Sequence, residues 1–222
     1  MTTPQPTLIV LGAGRGSRFH GGGHKLARRL GSEPVFSLAL GRALATGLPV
    51  RVVTTEPLLN LVLPYVARRD VSVLPEASHE TRLGMGYSIA TGVRASLDAA
   101  GWLVLPADMP LVEPRTILRV AQELAQHTVV YPQYRGRRGH PVGFSPELAS
   151  ELVGLSGDEG ARRVVARYPG VGVDVEDEGV VQDFDTEEDF QAFEGHTAAS
   201  PAASETASAP ASSIPRSARK IA

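Results

Sequence analysis

The chain has 222 residues, a formal net charge of −2 and no cysteine. That length is ample for one domain with a sizeable core; the balanced charge offers no polybasic surface to nucleic acid, and the lack of thiols excludes disulfides and thiolate metal sites. No apolar run reaches the roughly 18 residues needed to cross a bilayer, and "MTTPQPT" lacks the basic region of a signal peptide, so a soluble cytoplasmic protein with no membrane partner is expected.

Thr7 to Leu11 reads as a buried strand, a continuous apolar run ending in glycine. Pro34 to Thr46 reads as a helix with Val35, Leu38 and Leu44 at helical spacing and Gly47 as its stop. "VRVVTT" (50–55) is a β-branched strand, Pro57 to Arg68 returns as a helix bent or split at Pro64, and "VSVLP" (71–75) is a third strand. "GMGYSIATGVRASLDAAG" then places Ile89, Val93 and Leu97 on one helical face, with Ser88 as the cap. "WLVLPADMPLV" is strand through Leu105 and turns at Asp108–Pro110; Arg115 to His127 is helix and "TVVYPQY" is strand. Beyond the basic turn "RGRRGHPVGF" come a short strand and two short helices, with Ser145 and Asp158 as start signals. Short strands follow, then a last helix begun by Thr186 with Glu187, Glu188 and Asp189 in its first turn.

Alternating strands and helices predict a mostly parallel sheet covered on both faces. In such sheets ligands bind at the carboxyl ends of the strands. The Gly-rich stretch "LGAGRGSRFHGGGHKL" follows the first strand and Asp108 follows a central one, so the two are expected at one sheet edge. From His196 to Ala222 the chain is rich in Ala, Ser and Pro with few bulky apolar side chains, which predicts a domain over 1–195 and a disordered tail over 196–222.

The Gly-rich stretch admits several readings. It has no Gly-Lys-Ser/Thr, so it is not a P-loop. Gly12, Gly14 and Gly16 are spaced G-x-G-x-G with no helix directly after, which leaves an NAD(P)-type oxidoreductase or accessory binding protein as a minor alternative. "HGGG" with "GYSIA" approaches a hydrolase oxyanion loop and nucleophile elbow, but no strand precedes Ser88 as the elbow requires. Nucleotidyl transfer uses the whole set. A nucleoside triphosphate carries several negative charges; glycine N–H groups close around phosphate oxygens, Arg18 and Lys25 supply fixed positive charge, and Asp108 is placed to hold Mg²⁺.

"LGAGRGSRF…HKL", "GMGYSIATGV", "LPADMPLV", "RGHPVGF", "GDEGAR" and "DFDTEEDF", in that order from Leu8 to Phe193, resemble the MobA/MocA-like molybdopterin nucleotidyltransferases. The resemblance implies a Rossmann-like, three-layer α/β nucleotidyltransferase fold and Mg²⁺ dependence. The implied reaction moves a nucleoside monophosphate from an NTP to a small phosphorylated acceptor. On these residues it implies nucleotide contacts from Leu11, Gly12, Ala13, Gly14, Gly84 and Ser88, catalytic roles for Arg18, Lys25 and Asp108, and metal binding by Asp108. Asp185 is similar to a second metal carboxylate, or is a strand-end aspartate that starts the last helix; His140, in "GHP", faces the acceptor or is a structural turn. Arg162 is either a solvated helix face or an anion contact for the acceptor.

The chain departs from the family where "RFHGGGHK" separates arginine from lysine by more residues than usual, which puts the reach of Lys25 in question and makes His20 and His24 solvent-exposed loop residues. Guanylyl-transferring members carry a double glycine in the first turn, whereas Ala13 here resembles the cytidylyl type. The expectation is therefore CMP transfer from CTP to a molybdopterin-type cofactor, with GTP as the alternative within the family and a molybdoenzyme or its chaperone as candidate protein partner.

Overall fold

The computed structural model describes residues 4–14, 23–75 and 84–199; Arg18, His20 and the tail beyond Ala199 lie outside the described residues. Strand β1 (Thr7–Gly12) is followed by a two-residue hairpin, β2 (Arg29–Leu30) and β3 (Glu33–Pro34), and by helix α1 (Val35–Leu44). Next come β4 (Val50–Thr55), the single turn α2 (Leu59–Val62), β5 (Val71–Leu74), α3 (Gly84–Arg94) and β6 (Trp102–Pro106). Helix α4 (Pro114–Glu123), β7 (Val129–Tyr134), β8 (Arg137–Arg138), β9 (Val142–Phe144), α5 (Ala149–Val153), α6 (Arg162–Arg167), β10 (Gly170–Asp174) and α7 (Glu187–Ala199) complete the order.

One sheet runs β10-β7-β9-β6-β1-β4-β5, with β8 paired to β7. The β6-β1-β4-β5 side is parallel throughout, while β9 enters antiparallel between β6 and β7. The period-two alternation of the strands divides their side chains between two apolar layers. Leu8, Val10, Leu103 and Leu105 pack with α1, α4 and α7; Ile9, Leu11, Trp102 and Val104 pack with α3, α5 and α6. The α/β three-layer expectation holds, and the sheet is mixed.

Several local expectations are corrected. Between Pro57 and Arg68 only α2 and a preceding 3₁₀ turn form. Helix α3 stops at Arg94, so Leu97 is 60% exposed while Ile89 and Val93 are buried. Ser88 is not a cap, because it lies one full turn inside α3 and donates its hydroxyl to the Gly84 carbonyl at 3.3 Å. Neither Ser145 nor Asp158 caps by its side chain; α6 instead starts after Ala161. The last helix does start as read: Asp189 Oδ2 accepts from the backbone N–H groups of Asp185 and Thr186, while the Asp189 N–H donates to Thr186 Oγ1.

The start of α3 is seated on the 156–160 loop, which joins two motifs distant in sequence. The N–H of Gly86 donates to the Gly157 carbonyl at 2.9 Å, and a Cβ on Gly86 would lie 2.7 Å from the Ser156 carbonyl oxygen. Gly84 has φ +68°, and a Cβ there would strike the Gly157 backbone and come within 2.6 Å of the Asp158 nitrogen. Gly157 has a similar φ, +69°, with nothing within 4 Å of its added Cβ. Gly157→Ala is therefore expected to cost about 1 kcal/mol, the left-handed penalty alone. Gly84→Ala adds overpacking and should cost about 3 kcal/mol. Urea unfolding compares them, and equal losses would mean that the close approach carries no energy.

Candidate active site

The carboxyl ends of β1, β6 and β7 share one edge of the sheet. The Ala107 N–H donates to the Leu11 carbonyl at 2.9 Å, tying the segment after β6 to the end of β1 and setting Asp108 beside the glycine turn. The carbonyl of Asp108 in turn accepts from the Phe184 N–H at 2.9 Å. That single backbone bond brings the remote "DFDT" stretch to the same edge, where the Thr186–Asp189 capping box holds the backbone of Asp185.

Lys25 sits between the two carboxylates. Its ammonium lies 2.6 Å from Asp108 Oδ2 and also pairs with Asp185 Oδ1, with its side chain 9% exposed. Burial works against the charged form, but the charges and hydrogen bonds of Asp108 and Asp185 outweigh it, so Lys25 titrates above the ordinary 10.5. A raised lysine contributes its pairing energy fully below 10.5, and that contribution is lost only as pH rises through the raised value. Lys25 is thus a fixed cation at neutral pH.

The position of Lys25 is set by the contacts of its neighbours His24 and Arg28. His24 Nδ1 accepts from the Leu26 N–H at 3.2 Å, and Nε2, bearing the proton, donates to the Gly14 carbonyl at 3.0 Å. Arg28 pairs with Glu187 and lies 4.6 Å above the Phe190 ring, docking residues 25–28 on α7. His24 is half-buried and its ring bonds the Gly14 carbonyl, which corrects its reading as a plain solvent-exposed residue.

The first glycine turn divides into packing and open positions. A Cβ on Gly12 would enter the Phe36 ring, so glycine there serves the core, whereas among the described residues nothing lies within 4 Å of a Cβ added at Gly14. Ala13 packs against the apolar layer that contains α3. Gly84 and Ser88 have the structural reasons given above. His140 follows the β8 strand at the same edge; the His140–Pro141 bond is cis, and the His140 N–H donates to the Val180 carbonyl at 2.9 Å. Desolvation holds the imidazole below its ordinary value, against the opposing pull of Asp108. Arg162 is exposed at the start of α6.

Sequence reading missed Asp183. Partial burial and the charges of Asp185 and Asp108 push its carboxyl up, so it belongs to the same electrostatic cluster. The available signal was the i, i+2 spacing of Asp183 and Asp185 in extended chain, which can put two side chains on one side. Among the described residues no group of three or more His, Asp or Glu side chains has metal-holding geometry. Two carboxylates completed by substrate oxygens and water are the ordinary way a protein holds Mg²⁺.

The model of the MobA-like NTP transferase domain matches residues 8–171. The chain belongs to this family. Like its members it is a nucleotidyltransferase. Purine catabolism protein PucB of Bacillus subtilis is 30% identical over 205 residues, covering 86% of this chain and 96% of PucB. The crystal structure of Rv0371c from Mycobacterium tuberculosis has a TM-score of 0.71 at 26% identity, covering 87% and 98% of the two chains. A manganese complex of Rv0371c superposes with a TM-score of 0.67 at 25% identity, covering 85% and 97%. Molybdopterin-guanine dinucleotide biosynthesis protein A of Archaeoglobus fulgidus shares the fold, with a TM-score of 0.63 at 16% identity and coverage of 86% and 98%. Among the described residues of this MobA-like enzyme no helix is long and apolar enough to cross a membrane.

Proposed function

We propose that this nucleotidyltransferase moves CMP from CTP to a molybdopterin-type acceptor in a Mg²⁺-dependent reaction that releases pyrophosphate. The observation that carries the reading is the Lys25 ammonium held between Asp108 and Asp185, next in sequence to His24, which bonds the Gly14 carbonyl. An acceptor phosphate oxygen forms the new bond to the α-phosphorus, the bond from that phosphorus to the β-bridging oxygen breaks, and pyrophosphate leaves with the electron pair. Charge develops on the departing oxygens, and Lys25 is the buried cation within reach to stabilise it. Arg18 is assigned the same task on the triphosphate.

The donor type suits a hard divalent cation, since Asp108 and Asp185 are carboxylates brought to one place by their shared contact with Lys25. Those two residues would hold Mg²⁺, which supplies neutralisation of phosphate charge when bound. Leu11 to Gly14 would lie along the nucleotide. The first turn of α3 would line the base, with Gly84 shaping that turn and the Ser88 hydroxyl, which donates to the Gly84 carbonyl, keeping its oxygen as an acceptor. His140 would face the acceptor as a neutral imidazole.

The choice of CTP rests on Ala13, which packs against the α3 layer and whose methyl group would narrow the place of the base. One methyl group discriminates by about 1–3 kcal/mol, so the preference for a pyrimidine is expected to be about 10- to 200-fold. Pyrophosphate release with CTP or GTP in the presence of molybdenum cofactor measures it, and Ala13→Gly should narrow the ratio. A wild-type preference for GTP would refute the cytidylyl assignment and leave nucleotidyl transfer standing.

A further inference from the structure

The segment that carries Lys25 has little regular structure of its own to hold it. It is a single 3₁₀ turn over Lys25–Ala27, closed by the Arg28 N–H on the Lys25 carbonyl at 3.1 Å, and it leads into the β2–β3 hairpin, which is separate from the main sheet. Residues three apart on a 3₁₀ turn project to the same side. Lys25 and Arg28 are such a pair, and both reach the start of α7: Lys25 meets Asp185 and Arg28 meets Glu187. The turn therefore grips α7 by two prongs, of which the reaction above uses one.

The second prong is suited to fixing position rather than to folding energy. One guanidinium nitrogen, Nη1, donates to both carboxylate oxygens of Glu187, and the two side chains are each 30% exposed. An ion pair this open to water contributes little to stability. Its cation is nevertheless held in place, because Arg28 Cζ lies 4.6 Å from the centroid of the Phe190 ring. Phe190 is fully buried and meets the Phe184 ring edge-on, with centroids 5.2 Å apart, and the Phe184 N–H is the donor to the Asp108 carbonyl. Glu187 directly follows Thr186, whose N–H the Asp189 carboxylate holds together with that of Asp185. Arg28 is thus tied on one side to the contacts that place Asp108 and on the other to the turn that places Asp185.

We infer that Arg28 and Glu187 are positioning residues for nucleotidyl transfer: they clamp the Lys25 turn to α7 and so hold the ammonium between Asp108 and Asp185. Their action on the reaction runs through Lys25. This rests on the proposed reaction for the task of Lys25, but not for the clamp itself. A misplacement of about 1 Å at a reacting centre costs about 100-fold in rate, so a pair that adds little to folding can still govern turnover. Lysine at position 28 can keep the clamp, since a single nitrogen makes both bonds to Glu187.

Two measurements on the full chain test it, the first without substrate. Proton–carbon NMR of the lysine ε-methylene groups reads how firmly Lys25 is held, because a fixed ammonium gives distinct shifts for its two ε-protons and a freely turning one gives a single averaged shift. Lys25→Arg assigns the signal. The wild-type shifts should be distinct, Arg28→Met and Glu187→Ala should merge them, and Arg28→Lys should keep them apart. Glu187 is partly exposed, and Glu188 and Asp189 remain in the first turn of α7, so Glu187→Ala decides the matter even where Arg28→Met does not fold. Distinct shifts in folded Glu187→Ala, or merged shifts in wild type, would overturn the clamp. In steady-state assays with CTP and molybdenum cofactor, Glu187→Ala should lower kcat about 10- to 100-fold while the KM for CTP stays within about twofold, because Lys25 acts on charge that develops in the transition state. Arg28→Lys should keep kcat within about threefold of wild type. An unchanged kcat in Glu187→Ala, with or without a raised KM, would overturn the positioning role. If wild-type protein does not turn over this substrate pair, the proposed reaction fails and the NMR signature alone decides the clamp.

Discussion

Asp108→Asn is expected to lower kcat about 100- to 1,000-fold, the scale for removing one charge-stabilising group from a reacting centre. The amide keeps the volume of the carboxylate but not its charge, and a neutral oxygen is a poor ligand for Mg²⁺. The fold should be little affected, because the Asp108 backbone, not its side chain, holds Phe184, and Lys25 keeps its second partner, Asp185. Steady-state rates across a Mg²⁺ titration provide the check, with urea unfolding as the control. Near-normal turnover at limiting Mg²⁺ would remove Asp108 from the metal-binding role.

Lys25→Ala is expected to act on both catalysis and stability. Loss of its charge from the leaving pyrophosphate should weaken transition-state stabilisation by about 2–4 kcal/mol, or about 30- to 1,000-fold in kcat/KM. The fold should lose about 3 kcal/mol, since the truncation leaves two sheltered carboxylates facing each other without their shared cation. The two effects separate in the double variant Lys25→Ala/Asp185→Asn, compared with Asp185→Asn alone because Asp185 is itself assigned to the metal. Its urea midpoint should recover while its activity stays well below that of Asp185→Asn. Activity equal to that of Asp185→Asn would make Lys25 a charge partner of the fold and nothing more.

Much of this molecule is legible locally. The apolar runs of β1, β4 and β6, the helical spacing in α1 and α4, and the Thr186–Asp189 start of α7 all follow from patterns a few residues long. Asp108 was legible for a related reason: a carboxylate just past a central strand must lie at the carboxyl edge, where the first glycine turn also lies. The failures cluster where a local signal had a nonlocal competitor. Ser88 has the composition of a cap, but the docking of Gly84 and Gly86 on the 156–160 loop starts α3 four residues earlier. Gly12 reads as a ligand glycine, yet the Phe36 ring already explains it, whereas among the described residues nothing crowds a Cβ added at Gly14.

The sequence by itself determined the three-layer α/β order, the glycine turn and the presence of Lys25, Asp108 and Asp185, because side-chain periodicity and turn chemistry are properties of neighbouring residues. Whether those three side chains meet was decided by the tertiary structure. Lys25 is 83 residues from Asp108 and 160 from Asp185, so their meeting depends on the Phe184–Asp108 backbone bond and on the docking of Arg28 against α7. The antiparallel entry of β9, the inclusion of Asp183 and the tying of Gly14 to His24 were decided in the same way. The physical reason is that a strand's direction in the sheet and a loop's anchoring are selected by which remote backbone and apolar surface satisfy them, and no local spacing encodes that choice.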